Sequence, residues 1–260
     1  MNKISYAALW VLVLVLFFLV GPFLVVFVAG FSDGETLLFP PKAYSMRWVW
    51  HVFELESFQR SFVTSMWVGV ISTLVALLLG LPVAYALSRA SLKGQEWVKT
   101  WLTLPVVVPG IIVGLALLNH MVLVFNLPVI SSLIVGHACL LVPYTVRVVS
   151  SSLANLRHDI EDAAVTLGAT RWQAFFKVVL PNIRAGVAAA FVLAFITSFN
   201  QVPVSLFLTG PGVSTLPIEM MAYMETSYDP SIAALSTVLV VFTMVVVGLT
   251  EKLLGISKYV

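Results

Sequence analysis

The chain has 260 residues, of which 60% are hydrophobic and only 10% are charged, and its formal net charge is +2. A soluble protein of this size does not need so much apolar surface, so the composition excludes an ordinary soluble domain and indicates a membrane protein. The near-neutral charge, without a basic cluster interleaved with aromatic residues, gives no sign of nucleic-acid binding.

Six stretches are apolar and long enough to cross a bilayer, which takes roughly 20 helical residues. Their continuous apolar runs exclude a transmembrane barrel, whose strands alternate between lipid-facing and lumen-facing residues. The first stretch is longer than the apolar part of a secretory signal, so we expect it to remain as a span. The sequence predicts one all-α membrane domain over residues 1–260, with spans at about Ala7–Ala29, Phe62–Leu87, Thr100–Leu118, Ile130–Val149, Pro181–Leu208 and Ile232–Leu249.

The basic residues indicate how these spans are oriented. With both termini in the cytoplasm, only Lys42, Arg47 and Arg60 of the 14 Lys and Arg residues fall in outer segments. The positive-inside rule favours this orientation and places the segment between the fourth and fifth spans in the cytoplasm. The inner basic residues are Lys3, Arg89, Lys93, Lys99, Arg147, Arg157, Arg171, Lys177, Arg184, Lys252 and Lys258.

The fourth span carries several polar side chains. Cys139 is the chain's single cysteine and is predicted to be buried, so no internal disulfide can form. His137 and Tyr144 lie seven residues apart on similar helix faces, and a structural role is favoured for them over a functional one. Arg147 is interpreted as an anchor that reaches the membrane surface.

The predicted cytoplasmic segment contains two helix-start signals and one stop signal. Asp159 is predicted to cap a helix that begins at Ile160 and has an acidic first turn. Gly168 can end that helix in the left-handed conformation, and Thr170 with Gln173 forms a capping-box pattern for the next helix. The sequence therefore predicts a short helix, a sharp turn and a second helix.

The first of these two helices is too short to be stable alone in water, so a neighbour must hold it. Ala163 and Ala164 would let another protein approach the backbone closely, and Leu167 offers an apolar contact. An ordinary interfacial loop, packed only on its own domain, explains the same residues equally well.

The second helix carries three aromatic residues, which we expect to anchor it on the membrane domain, and a proline that we expect to end it. These residues are Trp172, Phe175, Phe176 and Pro181.

The pattern D-A-A-x-x-x-G at Asp162–Gly168, followed by Val178, Leu180 and Pro181, resembles the EAA loop of permease subunits in binding-protein-dependent ABC importers. In that family the loop forms a coupling helix that sits in a cleft of the ATPase subunit. The resemblance implies the type I importer permease fold, with six transmembrane helices and a cytoplasmic coupling loop over residues 157–181. Asp162 stands where the family usually has Glu, and Val178 where it usually has Ile. The implied coupling residues are Glu161, Asp162, Ala163, Ala164, Leu167 and Gly168.

The same resemblance implies a transport subunit of the bacterial inner membrane rather than an enzyme. Its implied partners are a second permease subunit from a different chain, two ATPase subunits that bind ATP and Mg, and an extracytoplasmic solute-binding protein. Ser198–Leu239 is most similar to the second permease of spermidine/putrescine-type systems, whose broader group also handles opines, phosphonates and other small solutes. Polyamine-type permeases often carry acidic residues where this chain has Asn200 and Gln201, which weakens a polyamine assignment.

Candidate pathway residues lie in the fifth span. Thr197, Gln201 and Ser205 recur at i, i+4 and i+8, and Ser198 and Asn200 lie beside them, so one polar stripe is expected on an apolar helix. Such groups face either a water-filled cavity or a partner helix, because exposing them to lipid costs free energy. The two alternatives remain equal at this point.

Catalytic motifs are missing from the sequence. No phosphate loop occurs, since Gly210–Thr215 lacks the lysine, and there is no H-E-x-x-H, G-x-S-x-G or Cys/His ligand cluster. The chain is therefore expected to hold no cofactor or metal. A self-contained carrier or channel remains the alternative to an ABC permease, although it would usually need charges inside the membrane.

Overall fold

The computed structural model describes residues 6–89 and 94–254, and the described part is helical without β-strands. Lys3, Lys93 and Lys258, which support the predicted orientation, lie outside the described residues. The helices are α1 Tyr6–Ala29, α2 Arg47–Glu54, α3 Glu56–Arg89, α4 Gln95–Val107, α5 Gly110–Leu117, α6 Val129–Ala154, α7 His158–Thr166, α8 Arg171–Ala174, α9 Leu180–Asn182, α10 Arg184–Phe199, α11 Pro203–Leu208, α12 Leu216–Thr226 and α13 Ser231–Leu254.

Within the described residues, four helices, α1, α3, α6 and α13, are long and apolar enough to cross a membrane unbroken. Two bent pairs of helices raise the number of candidate spans to six if each pair counts as one. Four predicted spans thus match single helices, and the third and fifth are broken.

The break in the third span lies at Pro109. The helices on either side, Gln95–Val107 and Gly110–Val124, are bent by 92°. Proline disfavours helical backbone at the residue before it, and Val108 is accordingly extended, with φ −71° and ψ 133°. The stretch predicted as one span therefore turns sharply at its centre.

We predicted that Pro181 would end the helix before the fifth span, but the break does not fall there. Pro181 lies inside the turn of α9, and the chain bends by 70° between Arg171–Asn182 and Arg184–Phe199. A π-helical stretch, Phe175–Val179, precedes α9 and shifts the backbone hydrogen-bond pattern. That shift explains how a proline without an N–H is tolerated there.

The chain divides into two compact units, of which the first holds the residues up to Gln59 together with Met220–Val246. Within this unit Gly30, just after α1, packs so closely on α13 that a Cβ would lie 2.9 Å from the Ala233 carbonyl oxygen. Near the start of α13, Tyr223 donates a hydrogen bond to Asp229 at 2.7 Å. The first unit also contains α2 and much of α12.

The second unit runs over Arg60–Glu219 and resumes at Val247. Its core joins α3, α6 and α10, and buries Ala84, Val149, Leu153 and Val179. Thr145 donates a hydrogen bond to the Ala76 carbonyl at 3.0 Å, which links α6 to α3. The single membrane domain over residues 1–260 stays a prediction.

Candidate functional site

The predicted short helix and sharp turn occur in the second unit. Helix α7 covers nine residues, and Gly168 follows it with a φ of +94°. The Gly168 N–H donates to the Val165 carbonyl at 2.9 Å, and the Ala169 N–H donates to the Ala164 carbonyl at 3.1 Å. Glycine reaches this left-handed conformation without the steric cost of a Cβ, so the predicted stop at Gly168 is confirmed.

The start of α7 differs from the prediction. The helix begins at His158, its N-cap residue is Arg157, and Asp159 lies in the first turn. The Arg157 guanidinium donates hydrogen bonds to the Asp159 carboxylate, so this side chain is not available to cap the helix. The same hydrogen bond lowers the pKa of Asp159. Asp159 as the N-cap was therefore wrong.

The second helix-start signal is confirmed. The Gln173 N–H donates to Thr170 Oγ1 at 3.2 Å, and the Thr170 N–H donates to Gln173 Oε1 at 3.0 Å. Two backbone donors that a helix start leaves unpaired are thus satisfied by reciprocal side-chain bonds.

Two neighbouring carboxylates, Glu161 just before the D-A-A-x-x-x-G pattern and Asp162 as its first residue, lie in different environments. Glu161 is buried, whereas Asp162 is exposed. Tyr85 donates a hydrogen bond to Glu161 Oε1, and Arg89 Nε lies 3.2 Å from Glu161 Oε2. Arg89 also donates to the Leu156 carbonyl at 3.2 Å. Glu161 therefore fastens α7 to the end of α3, whereas the Asp162 side chain stays exposed.

Tyr85 and Arg89 were not identified from the sequence. They lie four residues apart, hence on one face of α3, at the point where the apolar span ends. That spacing was the available signal, but nothing local to α3 specifies Glu161 as the partner.

The outer surface of α7 and its turn is open. Asp162, Ala163 and Gly168 are exposed and Ala164 is half-buried. Leu167 is 89% exposed, which is unusual for a leucine. Ala163 and Ala164 lie one helical turn before it. A small, partly apolar surface of this kind can fit a groove in another protein.

All three aromatic residues after the turn were expected to anchor the second helix on the membrane domain, but only one of them is buried. Phe175 is buried and packs edge-on against Tyr85, with ring centroids 4.9 Å apart. Trp172 and Phe176 are 74% and 56% exposed, and they stack on each other.

The predicted polar stripe is not on one helix, because α10 ends at Phe199 and α11 begins at Pro203. Proline at the start of α11 has no N–H with which to continue the helix. Thr197 therefore belongs to α10, Gln201 to the break and Ser205 to α11. Thr197 and Asn200 bond to the carbonyls of Leu193 and Ile196 in their own helix.

His137 joins two of the candidate pathway residues. Its ring nitrogens Nδ1 and Nε2 lie 2.8 Å from Ser198 Oγ and 3.0 Å from Ser205 Oγ, and all three side chains are buried. Ser205 donates its own hydrogen to the Gln201 carbonyl, so we assign Nε2 as the donor to Ser205 and Nδ1 as the acceptor from Ser198. This network connects α6 with α10 and α11. Tyr144 and Cys139 on α6 are exposed, so the expected burial of Cys139 was wrong.

Across the described residues, no group of three or more His, Cys, Asp or Glu side chains is placed to hold a metal ion.

Comparisons with known proteins agree with these features. The model of the family described as "Binding-protein-dependent transport system inner membrane component" matches residues 76–254. The chain is 28% identical over 229 residues to the putrescine transport system permease protein PotI of Escherichia coli (strain K12), covering 85% of this chain and 81% of the relative. It is 29% identical over 206 residues to the spermidine/putrescine transport system permease protein PotC of the same strain, covering 79% and 78%.

Solved structures share the fold. A chain of a bacterial ABC transporter involved in the import of the acidic polysaccharide alginate superposes with a TM-score of 0.73, at 17% identity and 95% coverage of both chains. A chain of the methionine ABC transporter MetNI superposes with a TM-score of 0.66, at 19% identity, covering 76% of this chain and 94% of that one.

Proposed function

The chain belongs to the family of binding-protein-dependent transport system inner membrane components, and we propose that it forms half of the solute pathway of an importer driven by an ATPase docked on α7. As a member of this family with the fold of ABC importer permeases, it is a transport component and not an enzyme. A self-contained carrier or channel is not favoured. Such permeases work with further permease, ATPase and binding-protein components.

The docking proposal is supported chiefly by one observation, the contrast between the two faces of α7. Glu161 is buried against Arg89 and Tyr85, whereas Leu167 on the turn is 89% exposed. A nine-residue helix is not stable alone, so it needs to pack against a neighbour. In the proposed complex, α3 provides one support and a cleft of the ATPase provides the other, with contacts to Asp162, Ala163, Ala164, Leu167 and Gly168.

The proposed partners follow the family pattern. Two ATPase subunits would bind ATP and Mg, a second permease of different sequence would complete the pathway, and a solute-binding protein would deliver the solute. Closure of the ATPase pair would move both coupling helices and rock the helix bundles between outward-open and inward-open states. Both termini would lie in the cytoplasm, as the distribution of basic residues favours.

The proposed solute is a small polyamine-like compound, because PotI and PotC are named for putrescine and spermidine. The proposed pathway residues are Thr197, Asn200 and Gln201 near the break between α10 and α11, with Ser198 and Ser205 supporting them through His137. Amides at 200 and 201 offer dipoles without net charge, so the binding protein would contribute most of the selectivity for a cation.

Substitutions of Gly168 test the docking proposal with a matched control. Within the described residues, no atom beyond its chain neighbours lies within 4 Å of a Cβ built at Gly168, so an alanine side chain fits there without a clash and the first atom of a tryptophan side chain does too. Both residues impose the same backbone strain, of order 1–2 kcal/mol. Only Gly168→Trp adds bulk to the outer surface.

We expect the ATPase subunit to co-purify with wild type and with Gly168→Ala, and to be lost from Gly168→Trp. Equal retention by the two variants, together with unchanged transport, would refute docking at α7.

A further inference from the structure

A cavity of about 790 Å³ lies between α3 and the segment that runs from α8 to α10, within the second unit. Its wall is mostly apolar, and it includes Leu74, Leu78, Leu81 and Leu180. Leu74 and Leu78 are 53% and 75% exposed, so the cavity opens at the surface of the protein. An acyl chain matches a wall of this composition, whereas a small polar solute does not.

One end of the cavity is basic. Arg89 and Arg171 both line it, and no carboxylate is among the lining residues. The charge of Arg89 is balanced by Glu161, whereas Arg171 makes no ion pair with any described residue, so Arg171 supplies one uncompensated positive charge in this part of the chain. Trp172 also lines this end and is 74% exposed, as expected of an indole at a membrane interface.

Arg89 adds a second, independent feature. Its side chain is only 8% exposed, and its Nη1 is buried without a hydrogen-bond partner in the described part of the chain. Buried donors of this kind are normally satisfied, so an unpaired one beside a basic cavity indicates a missing acceptor. The oxygens of a phosphodiester are acceptors with the matching charge.

We propose that this cavity binds an anionic phospholipid, with an acyl chain along the leucines of α3 and the phosphate at Arg171 and Arg89. In the orientation proposed above, the basic end faces the cytoplasmic leaflet, where basic pockets between transmembrane helices bind anionic headgroups. The bound lipid would fill the space between α3 and the segment that follows the α7 turn. The site is separate from the outer surface of α7 and from the break between α10 and α11.

Photolabelling of the full chain tests the proposal. The chain is reconstituted in phosphatidylcholine vesicles that contain a trace of a photoreactive lipid with a diazirine on its acyl chain. The photoreactive lipid is phosphatidylglycerol in one sample and phosphatidylcholine in the other. Labelled peptides are mapped by mass spectrometry. We expect label in residues 74–89 and 171–187, with phosphatidylglycerol favoured about fivefold, since one basic residue near a membrane surface contributes about 1 kcal/mol toward an anionic lipid.

Three variants separate the contributions. Arg171→Gln should remove the preference for phosphatidylglycerol at these peptides. Lys177→Gln removes an exposed charge from the same segment but not from the cavity lining, so it should keep the preference. Ala86→Phe should reduce labelling by both lipids, because Ala86 lines the cavity and the larger side chain occupies it.

Equal labelling by the two lipids, or equal effects of Arg171→Gln and Lys177→Gln, would overturn the proposal. So would an intermolecular disulfide formed by Leu78→Cys in a Cys139→Ser background, which would make the groove a contact between copies of the chain.

Discussion

Arg89 and Glu161 form a buried ion pair between the last residue of α3 and the first turn of α7, with Nε and Oε2 3.2 Å apart. Both side chains are about nine-tenths buried. Removing either partner would leave an uncompensated charge, so the pair resists separation. A displacement of α7 by a docked ATPase would therefore be passed to α3 rather than absorbed at the contact.

The first prediction concerns this pair. Glu161→Gln keeps the shape of the side chain and an acceptor for Tyr85, but it leaves Arg89 without a counter-charge. Breaking a buried pair from one side typically costs about 3–5 kcal/mol, so we expect a lower unfolding temperature in detergent. Because the outer surface of α7 is unchanged, the ATPase should still co-purify, while transport per ATP hydrolysed falls.

The controls separate coupling from folding. Asp159→Asn changes an exposed carboxylate on the same helix and should leave both readouts near wild type. The double variant Glu161→Gln with Arg89→Gln removes both charges and should recover part of the stability. If transport recovers in parallel with stability, the pair holds the fold together and does not transmit motion.

The second prediction concerns His137. His137→Phe leaves the Ser198 hydroxyl without its buried acceptor, and such a loss costs about 1–3 kcal/mol. His120→Phe is the matched control, because the exposed His120 ring makes its one hydrogen bond to a described residue with the Ala116 carbonyl of the preceding turn. We expect thermal unfolding to shift to lower temperature for His137→Phe alone, and Ser198→Ala to relieve part of that shift. Identical unfolding of the two phenylalanine variants would contradict this role.

Local signals in the sequence were reliable where they acted alone. Gly168 ends α7, and Thr170 with Gln173 starts the next helix, because these residues satisfy the backbone within a few positions. Asp159 failed as a cap because Arg157, two residues earlier, binds its carboxylate. At Pro109, the restriction that proline places on the residue before it broke the third span, which apolar composition alone had predicted to be continuous.

Contacts between distant residues were not predictable from one sequence. Glu161 and Asp162 are neighbouring acids at the start of the pattern, and the sequence does not show that Arg89 at the end of α3 pairs with Glu161 and not with Asp162. The pairing of His137 with Ser198 and Ser205 likewise depends on how α6 packs against α10 and α11. Helix periodicity indicates which residues share one face of a helix, but it does not identify which helix faces pack against each other.

The third prediction concerns the helix start at Thr170. Thr170→Ala removes the hydroxyl that accepts from the Gln173 N–H, and loss of an N-cap typically costs about 1 kcal/mol. We expect faster amide hydrogen exchange in residues 171–175, measured by mass spectrometry. Thr166→Ala removes a hydroxyl that donates to the Asp162 carbonyl of its own helix, so exchange in residues 171–175 should not change. Equal acceleration by both variants would show that the capping box has no specific effect.

The last prediction concerns Gln201 and the charge of the solute. Gln201 is half-buried in the break between α10 and α11, and its side-chain amide makes no hydrogen bond within the described part of the chain. If Gln201 lines the proposed pathway, Gln201→Leu should assemble normally but transport less, or hydrolyse ATP without transport, because the variant loses no hydrogen bond within the described part of the chain. Thr243→Val, which removes a hydroxyl bonded to the Leu239 carbonyl on α13, is the control for a generic loss of polarity.

Charged substitutions at the same position then give the sign of the solute charge. A carboxylate in a low-dielectric pathway attracts a cation and an ammonium group repels it. For a polyamine-like solute, Gln201→Glu should retain or increase uptake at low concentration, whereas Gln201→Lys should reduce it several-fold. The reverse order would identify an anionic solute. Unchanged kinetics for all three Gln201 variants would assign the residue to packing and move the pathway away from this break.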